Sequence, residues 1–364
     1  MRTGNVYSRL FAVAMAAGFL LPATPATAAP AVPVAPVSAP ATLDLDAPAR
    51  AKKAAPQRRR RTVRKQTPAQ KRAAARRAAA RARAAAKARQ AAAARALKAA
   101  MTPQYRTDAS GNSVPDVRAE AAIVFNPTTG EVLWEENSRA PRSIASITKV
   151  MTAIVFMADE PDLNEWVTID RSDVTAASVT YLRAGERIKL GDLLHLTLIA
   201  SDNGAARALA RTSEGGMQGF LARMNEKASQ LGLQSTRFAD PSGLDANNIS
   251  SAYDVSHMIS FAANDPTIGG VMLKERHGFY TDRRAINIKS TNKLLGDAPI
   301  TAAKTGYTTK AGFCFASLLK MPQTGQQVAV VVLGAKSSMN RFWETRHLFN
   351  WVVGKAGVLF REEQ

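Results

Sequence analysis

The stretch Ser143 to Ala158, SIASITKVMTAIVFMA, constrains this chain more than any other. A lysine is a cation at neutral pH and normally belongs on a solvated surface. Lys149 is instead followed at once by Val150, Met151, Ala153, Ile154, Val155, Phe156 and Met157. Ile147, Val150, Met151, Ile154, Val155 and Ala158 recur at helical spacing, which predicts a buried helix with Ser146 near its start and Lys149 one turn in. Residues three apart share a helix face, so a hydroxyl and an amine are held together at the edge of an apolar core. A hydroxyl is a weak nucleophile until an adjacent base activates it. Burial lowers a lysine pKa and can make it that base. The same spacing recurs at Ser290 and Lys293 in a polar setting, so spacing alone does not choose between the two pairs.

The net charge of +20 over 364 residues does not describe the whole chain. Residues 47–107 hold 20 of the 49 Lys and Arg and no Asp or Glu, which leaves 29 basic against 29 acidic residues elsewhere. The excess is therefore a segment, not a property of the globular part. From Ala69 to Ala100 there is no Gly or Pro, and alanine has the highest helix propensity. A single helix there would reach about 48 Å at 1.5 Å per residue. Its charges fall on every face and leave no apolar stripe. It reads either as a solvated spacer or as an electrostatic tether to a polyanion, with wall polymers and anionic lipid headgroups as candidate partners.

Residues 1–28 read as a secretory signal: Arg2 and Arg9, an apolar run from Leu10 to Leu21, and Ala26-Thr27-Ala28 as a small-x-small cleavage site. Export argues against nucleic acid as the partner of the basic segment. Residues 29–116 divide into an Ala/Pro-rich linker and the basic segment, 117–357 form the globular part, and 358–364 a tail. The one cysteine, Cys314, excludes an intramolecular disulfide. The four histidines show no linear metal spacing, so no metal or other cofactor is expected, and none sits in a GxSxG context. A serine nucleophile here is better served by a lysine than by a histidine.

Within 117–357, apolar runs bounded by turns predict strands at Ala121–Phe125 and 131–135, then at 300–308, 313–319 and 327–333. Helices are predicted at 146–158, 190–212, 217–231 and 340–353. The fold class is α/β in the α+β sense: a five-stranded, mainly antiparallel sheet flanked by helices, with an all-helical subdomain between the two groups of strands. The two halves of the chain must meet to complete the sheet.

Three short elements stand in order: Ser146-x-x-Lys149, Ser201-Asp202-Asn203 and Lys304-Thr305-Gly306. The trio S-x-x-K, S-D-N and K-T-G belongs to class A β-lactamases and penicillin-binding proteins. With FADPSGL at 238–244, Ala252-Tyr253-Asp254, TNKLL at 291–295 and KTGYTTKAGFC at 304–314, residues 117–357 resemble the low-molecular-mass penicillin-binding proteins, the serine D-alanyl-D-alanine carboxypeptidase and endopeptidase family. The rival pair at Ser290 overlaps one of these stretches through Lys293, which makes its spacing a coincidence.

The resemblance implies roles. Ser146 attacks a D-alanyl carbonyl, neutral Lys149 takes its proton, Ser201 passes a proton to the leaving amine, and Asn203 orients the substrate amide and Lys149. Lys304 and Thr305 hold a substrate carboxylate, and Gly306 lets substrate lie along a strand edge. The backbone N–H groups of Ser146 and Tyr307 form the oxyanion hole. Asp240, Ser242, Tyr253 and Asp254 shape the cleft. Peptidoglycan stem peptides are the implied substrate, β-lactams the inhibitors, and the periplasm or extracytoplasmic envelope the place of action. A secreted class A β-lactamase is the first alternative, but Glu214, Glu226 and Glu275 lack an Asn four residues on. A non-catalytic wall-binding protein is the second. Asp202, where many carboxypeptidases of the family carry a small residue, and the 58 residues after Gly306 favour an endopeptidase.

Overall fold

The computed structural model describes residues 67–359. The signal sequence, the Ala/Pro linker and the first part of the basic segment lie outside the described residues. Helix α1 (Pro68–Met101) opens the described chain, and its residues 68–99 are exposed. The lead-in after it is a short hairpin, Tyr105–Thr107 paired with Ser113–Pro115. Strands β1 (Ala121–Phe125) and β2 (Val132–Glu136) follow. Helix α2 (Lys149–Met157) is entered through a 3₁₀ turn, Ala145–Thr148. The middle of the chain holds α3 (Leu190–His195), α4 (Asn203–Thr212), α5 (Gly216–Gln230), α6 (Ala252–Ala263) and α7 (Pro266–Met272). It also holds strands β3 (Arg276–Tyr280) and β4 (Ala285–Lys289). The chain returns to the main sheet through β5 (Ile300–Thr308), β6 (Gly312–Lys320) and β7 (Gln327–Ala335), then closes with α8 (Asn340–Gly354).

The main sheet runs β5-β6-β7-β1-β2, antiparallel throughout. Its two halves join at β7 and β1, where Val330 faces Val124 and Val331 faces Ile123. Those strands are apolar on both faces because both faces are covered. Ile123, Phe125, Val331 and Leu333 pack with α2, α5 and α6. Val124, Val328, Val330 and Val332 pack with Phe342, Leu348, Phe349 and Val352 of α8. Every residue of α2 from Lys149 to Phe156 is buried. A helix that is apolar all round has to sit inside a core. Each fully buried Ile, Val, Phe or Met there contributes about 1.5–3 kcal/mol.

Two expectations need correction. The predicted helix at 190–212 is not continuous. It runs as α3, loosens into a π turn at Leu196–Ala200, breaks at Ser201, and restarts as α4. The Asp202 carboxylate accepts from the Ala205 N–H at 2.8 Å and caps the new helix, so a local side-chain bond replaces continuation of the ladder. The region between the strand groups is also not all helical. β3 and β4 form a hairpin whose Phe279, Ile286 and Ile288 point inward while their neighbours are exposed. That alternation has period two, which belongs to a strand rather than a helix.

Candidate active site

The 3₁₀ turn that carries Ser146 is held from two sides. Ala145 adopts φ +49°, in the left-handed region. Gly243, at φ +83°, packs so closely that an added Cβ would lie 2.1 Å from the Ala145 carbonyl oxygen. Gly306 of β5 lies on the other side, where a Cβ would stand 2.8 Å from Ile144 O and 3.2 Å from Ser146 N. Only glycine lets the strand edge come this near the serine backbone.

Lys149 is fully buried. Its Nζ donates to Ser146 Oγ at 3.0 Å, to Asn203 Oδ1 at 2.6 Å and to the Ser242 carbonyl. Burial pushes its ammonium down to about 7, and the charges of Asp202 and Asp240 oppose that shift. The loop that supplies Ser242 O is built on Asp240. Its Oδ1 accepts from Ser242 N, Ser242 Oγ and Gly243 N, and its Oδ2 from Asp245 N and Asn248 Nδ2. Burial works to raise the Asp240 pKa, but these hydrogen bonds hold it below its ordinary value.

The π turn sets the opposite wall. Ser201 has φ 60° and ψ 34°, a left-handed conformation that only glycine adopts without cost. Its hydroxyl accepts from Lys304 Nζ at 2.8 Å, across 103 residues of sequence. Lys304 also donates to Thr305 O at 2.9 Å. Burial holds the Lys304 ammonium well below its ordinary pKa, and the nearby charges of Lys149 and Arg341 push the same way. Asn203 donates through Nδ2 to Ala177 O at 2.7 Å, which fixes which amide atom faces Lys149. The Asp202 carboxylate is engaged by backbone N–H groups. It accepts from Ala205 N and Tyr181 N and ties the 177–182 loop to α4.

Ser146, Lys149, Ser201, Asn203, Lys304, Thr305 and Gly306 thus meet around one cleft, with half-exposed Tyr307 next along the strand, stacked on Phe313 at 4.2 Å. Thr305 Oγ1 pairs with Thr291 Oγ1 at 2.6 Å. Asp240 and Ser242 border the cleft. Tyr253 and Asp254 do not: Tyr253 packs under Arg139 and against Phe125, and Asp254 accepts from Ser235 N and Thr236 Oγ1. The rival lysine, Lys293, is exposed and reaches Met339 Sδ, while Ser290 Oγ accepts from Asn292 N. Cys314 is buried in β6, and burial raises its thiol pKa.

One residue of this neighbourhood carries no sequence signal. Arg341, on the first turn of α8, is 7% exposed and donates through Nη1 to Gly306 O at 2.9 Å and to Cys314 O at 3.3 Å. Burial lowers its guanidinium to about 10. It braces the K-T-G strand from behind. In the sequence it is one arginine in a helix of mixed polarity.

The sequence model of the D-alanyl-D-alanine carboxypeptidase family matches residues 108–337. The chain belongs to this family. It is a serine D,D-peptidase of the low-molecular-mass penicillin-binding-protein type. It is 30% identical to a D-alanyl-D-alanine endopeptidase of Escherichia coli over 67% of this chain and 80% of that one. It is 33% identical to a D-alanyl-D-alanine carboxypeptidase of Salmonella typhimurium over 65% of this chain and 63% of that one. The crystal structure of the Streptomyces K15 DD-transpeptidase superposes with a TM-score of 0.62 at 27% identity, covering 66% of this chain and 98% of that one. The expected fold of this D,D-peptidase, an antiparallel five-stranded sheet with flanking helices, is the one observed.

Proposed function

We propose that this D,D-peptidase cleaves D-alanyl bonds of peptidoglycan through an acyl-enzyme on Ser146, with Lys149 as its base. The observation that carries this reading is the buried Lys149 Nζ standing 3.0 Å from Ser146 Oγ. Near neutral pH an amine with a pKa of about 7 is in large part free to accept a proton. Ser146 Oγ adds to the D-alanyl carbonyl and its proton passes to Lys149. The tetrahedral oxyanion sits between the Ser146 and Tyr307 N–H groups, where one donor is worth about 2.7–4 kcal/mol. Ser201 relays a proton to the departing amine, the C–N bond breaks, and water then hydrolyses the ester. Asn203 keeps Lys149 aimed at the serine. In the free cleft Lys304 has no carboxylate among its hydrogen-bond partners. A substrate carboxylate supplies the counter-charge, and Thr305 donates to the same group. A β-lactam would acylate Ser146 by the same first step.

An endopeptidase preference is favoured by Asp202 in the second motif and by the match to endopeptidases over about four-fifths of their length, against less than two thirds of the carboxypeptidase. The envelope substrate and the N-terminal signal favour export. The basic segment would then serve as a tether to anionic wall polymer or lipid.

Digestion of purified cross-linked peptidoglycan, with products read by mass spectrometry, tests the reading. An endopeptidase lowers cross-linked dimers and leaves terminal D-alanine in place; a carboxypeptidase removes D-alanine. Ser146→Ala has to abolish both, and residual cleavage by that variant would remove Ser146 from the mechanism.

A further inference from the structure

The linear spacing of the histidines carries no metal motif, but the fold brings two of them together. Asp192 and His195 lie three apart on α3, and so on one face of it. His277 comes from β3, 82 residues beyond His195. One carboxylate oxygen and one nitrogen from each imidazole lie within 4.8 Å of one another, and all three residues are half-buried. None of them belongs to the peptidase cleft.

We infer that Asp192, His195 and His277 form a binding site for one divalent transition-metal ion, with zinc the best fit to the ligand set. Two imidazoles and one carboxylate are three protein ligands of a zinc type, with a fourth position left for water. Bonds of about 2.0–2.2 Å in a tetrahedron place ligand atoms roughly 3.3–3.6 Å apart. His277 Nε2 and Asp192 Oδ1 are 2.9 Å apart, and the two imidazole rings are stacked with centroids at 3.8 Å. Binding an ion therefore requires one ring to turn out of the stack, so that both lone pairs meet at one point. His195 has the partner that fixes its tautomer: Nδ1 is 2.7 Å from the Gly191 carbonyl, so Nδ1 carries the hydrogen and Nε2 presents a lone pair. A cation already uses that lone pair, since the Lys274 ammonium stands 2.7 Å from His195 Nε2. Lys274 is exposed and can swing into water.

The ion would fasten β3 to α3 at the root of the wall that carries Ser201. The π turn leads directly from α3 to Ser201. The loop after β4 donates from Thr291 N to Ile199 O, and its Thr291 hydroxyl meets Thr305. The role is positional: the ion holds two elements and takes no part in acyl transfer.

The test is calorimetric titration of chelator-treated full-length protein with zinc chloride, with thermal melting alongside. One ion is expected per chain. At a hundredfold excess of free ion over Kd the folded-to-unfolded ratio should rise about 100-fold, seen as a higher melting temperature. His277→Ala should weaken binding by about 100-fold or more, beyond the 10–100-fold typical of losing a mere supporting partner. Lys274→Ala should tighten binding, because it removes the competing ammonium; a structural role for the lysine alone would not predict that. If His277→Ala fails to fold, Asp192→Asn and Lys274→Ala carry the test. No zinc uptake, unchanged affinity in His277→Ala or Asp192→Asn, or unchanged or weaker affinity in Lys274→Ala overturns the proposal.

Discussion

Lys149 shows how one residue can be read partly from sequence and finished by the fold. Its apolar successors announce burial, and burial is the first cause of its lowered pKa. The partners that aim its Nζ, Asn203 Oδ1 and Ser242 O, are 54 and 93 residues away, and no local pattern shows them. The pH dependence follows from the shift. Above about 7 the neutral amine dominates, so acylation should rise with pH below that value, about tenfold per unit, and level off above it. Stopped-flow acylation of the protein by a fluorescent penicillin would show it, and a rate independent of pH from about 6 to 8 would rule Lys149 out as the base. Stability runs in the same direction. Between about 7 and 10.5 the unfolded chain keeps a proton that folded Lys149 has shed. This residue's contribution is therefore fully present above 10.5 and is lost as pH falls through about 7. Arg341 is the opposite case: it has no periodicity or motif to announce it, and only the packing of α8 against β6 and β7 brings it to the Gly306 carbonyl.

At the scale of elements, the break between α3 and α4 matters most. Leu190–Thr212 has a helical pattern on both sides of Ser201, so a continuous helix is the natural expectation. The break is decided by Asp202, whose carboxylate caps α4 and reaches the Tyr181 N–H, and by Asn203 N bonding to Val179 O. Ser201 is left in a left-handed conformation that costs roughly 1–2 kcal/mol in a residue with a side chain. Ser201→Gly should relieve that strain, offset by about 0.4–1 kcal/mol of extra unfolded-state entropy. Its melting temperature should therefore be no lower than that of Ser201→Ala, while both variants lose about 10²–10⁴-fold in acyl transfer. A Ser201→Gly protein that melts below Ser201→Ala would contradict the strain argument. The β3–β4 hairpin was not expected: its alternation is short and stands in a stretch surrounded by helices, and only the pairing of Phe279 with Ile286 makes it a ribbon.

For the molecule as a whole, the contrast is between the folded D,D-peptidase and α1. Ten Lys and Arg and no acidic residue lie on the 34 residues of α1, and all ten basic side chains are exposed. The C-terminal end of α1 is anchored: Arg118 donates to Ala99 O, His347 bonds Met101 O, and Leu97 faces Trp343 and Met339 across a groove of about 580 Å³. Anchoring one end projects the charge outward. Binding to anionic vesicles or wall polymer should therefore fall as salt rises from about 0.1 M to about 1 M, where the Debye length shrinks from about 10 Å to about 3 Å. Replacing the ten basic residues of α1 with Gln removes half of the 20 Lys and Arg of residues 47–107, so it should weaken that binding and its salt dependence and leave the peptidase rate unchanged. Salt-insensitive binding in a cosedimentation assay would refute an electrostatic tether.

By itself the sequence determined the five strands of the main sheet, the buried entry helix and the three motifs. Each of these is written in local periodicity or in adjacent residues, because the period of the apolar positions marks which elements can bury a face. The tertiary structure alone decided where the S-D-N helix breaks, which atoms hold the amine of Lys149, that Arg341 braces Gly306, and that His195 meets His277. Each of those depends on groups tens to hundreds of residues apart, whose separation is set when β7 closes on β1 and not by any pattern along the chain.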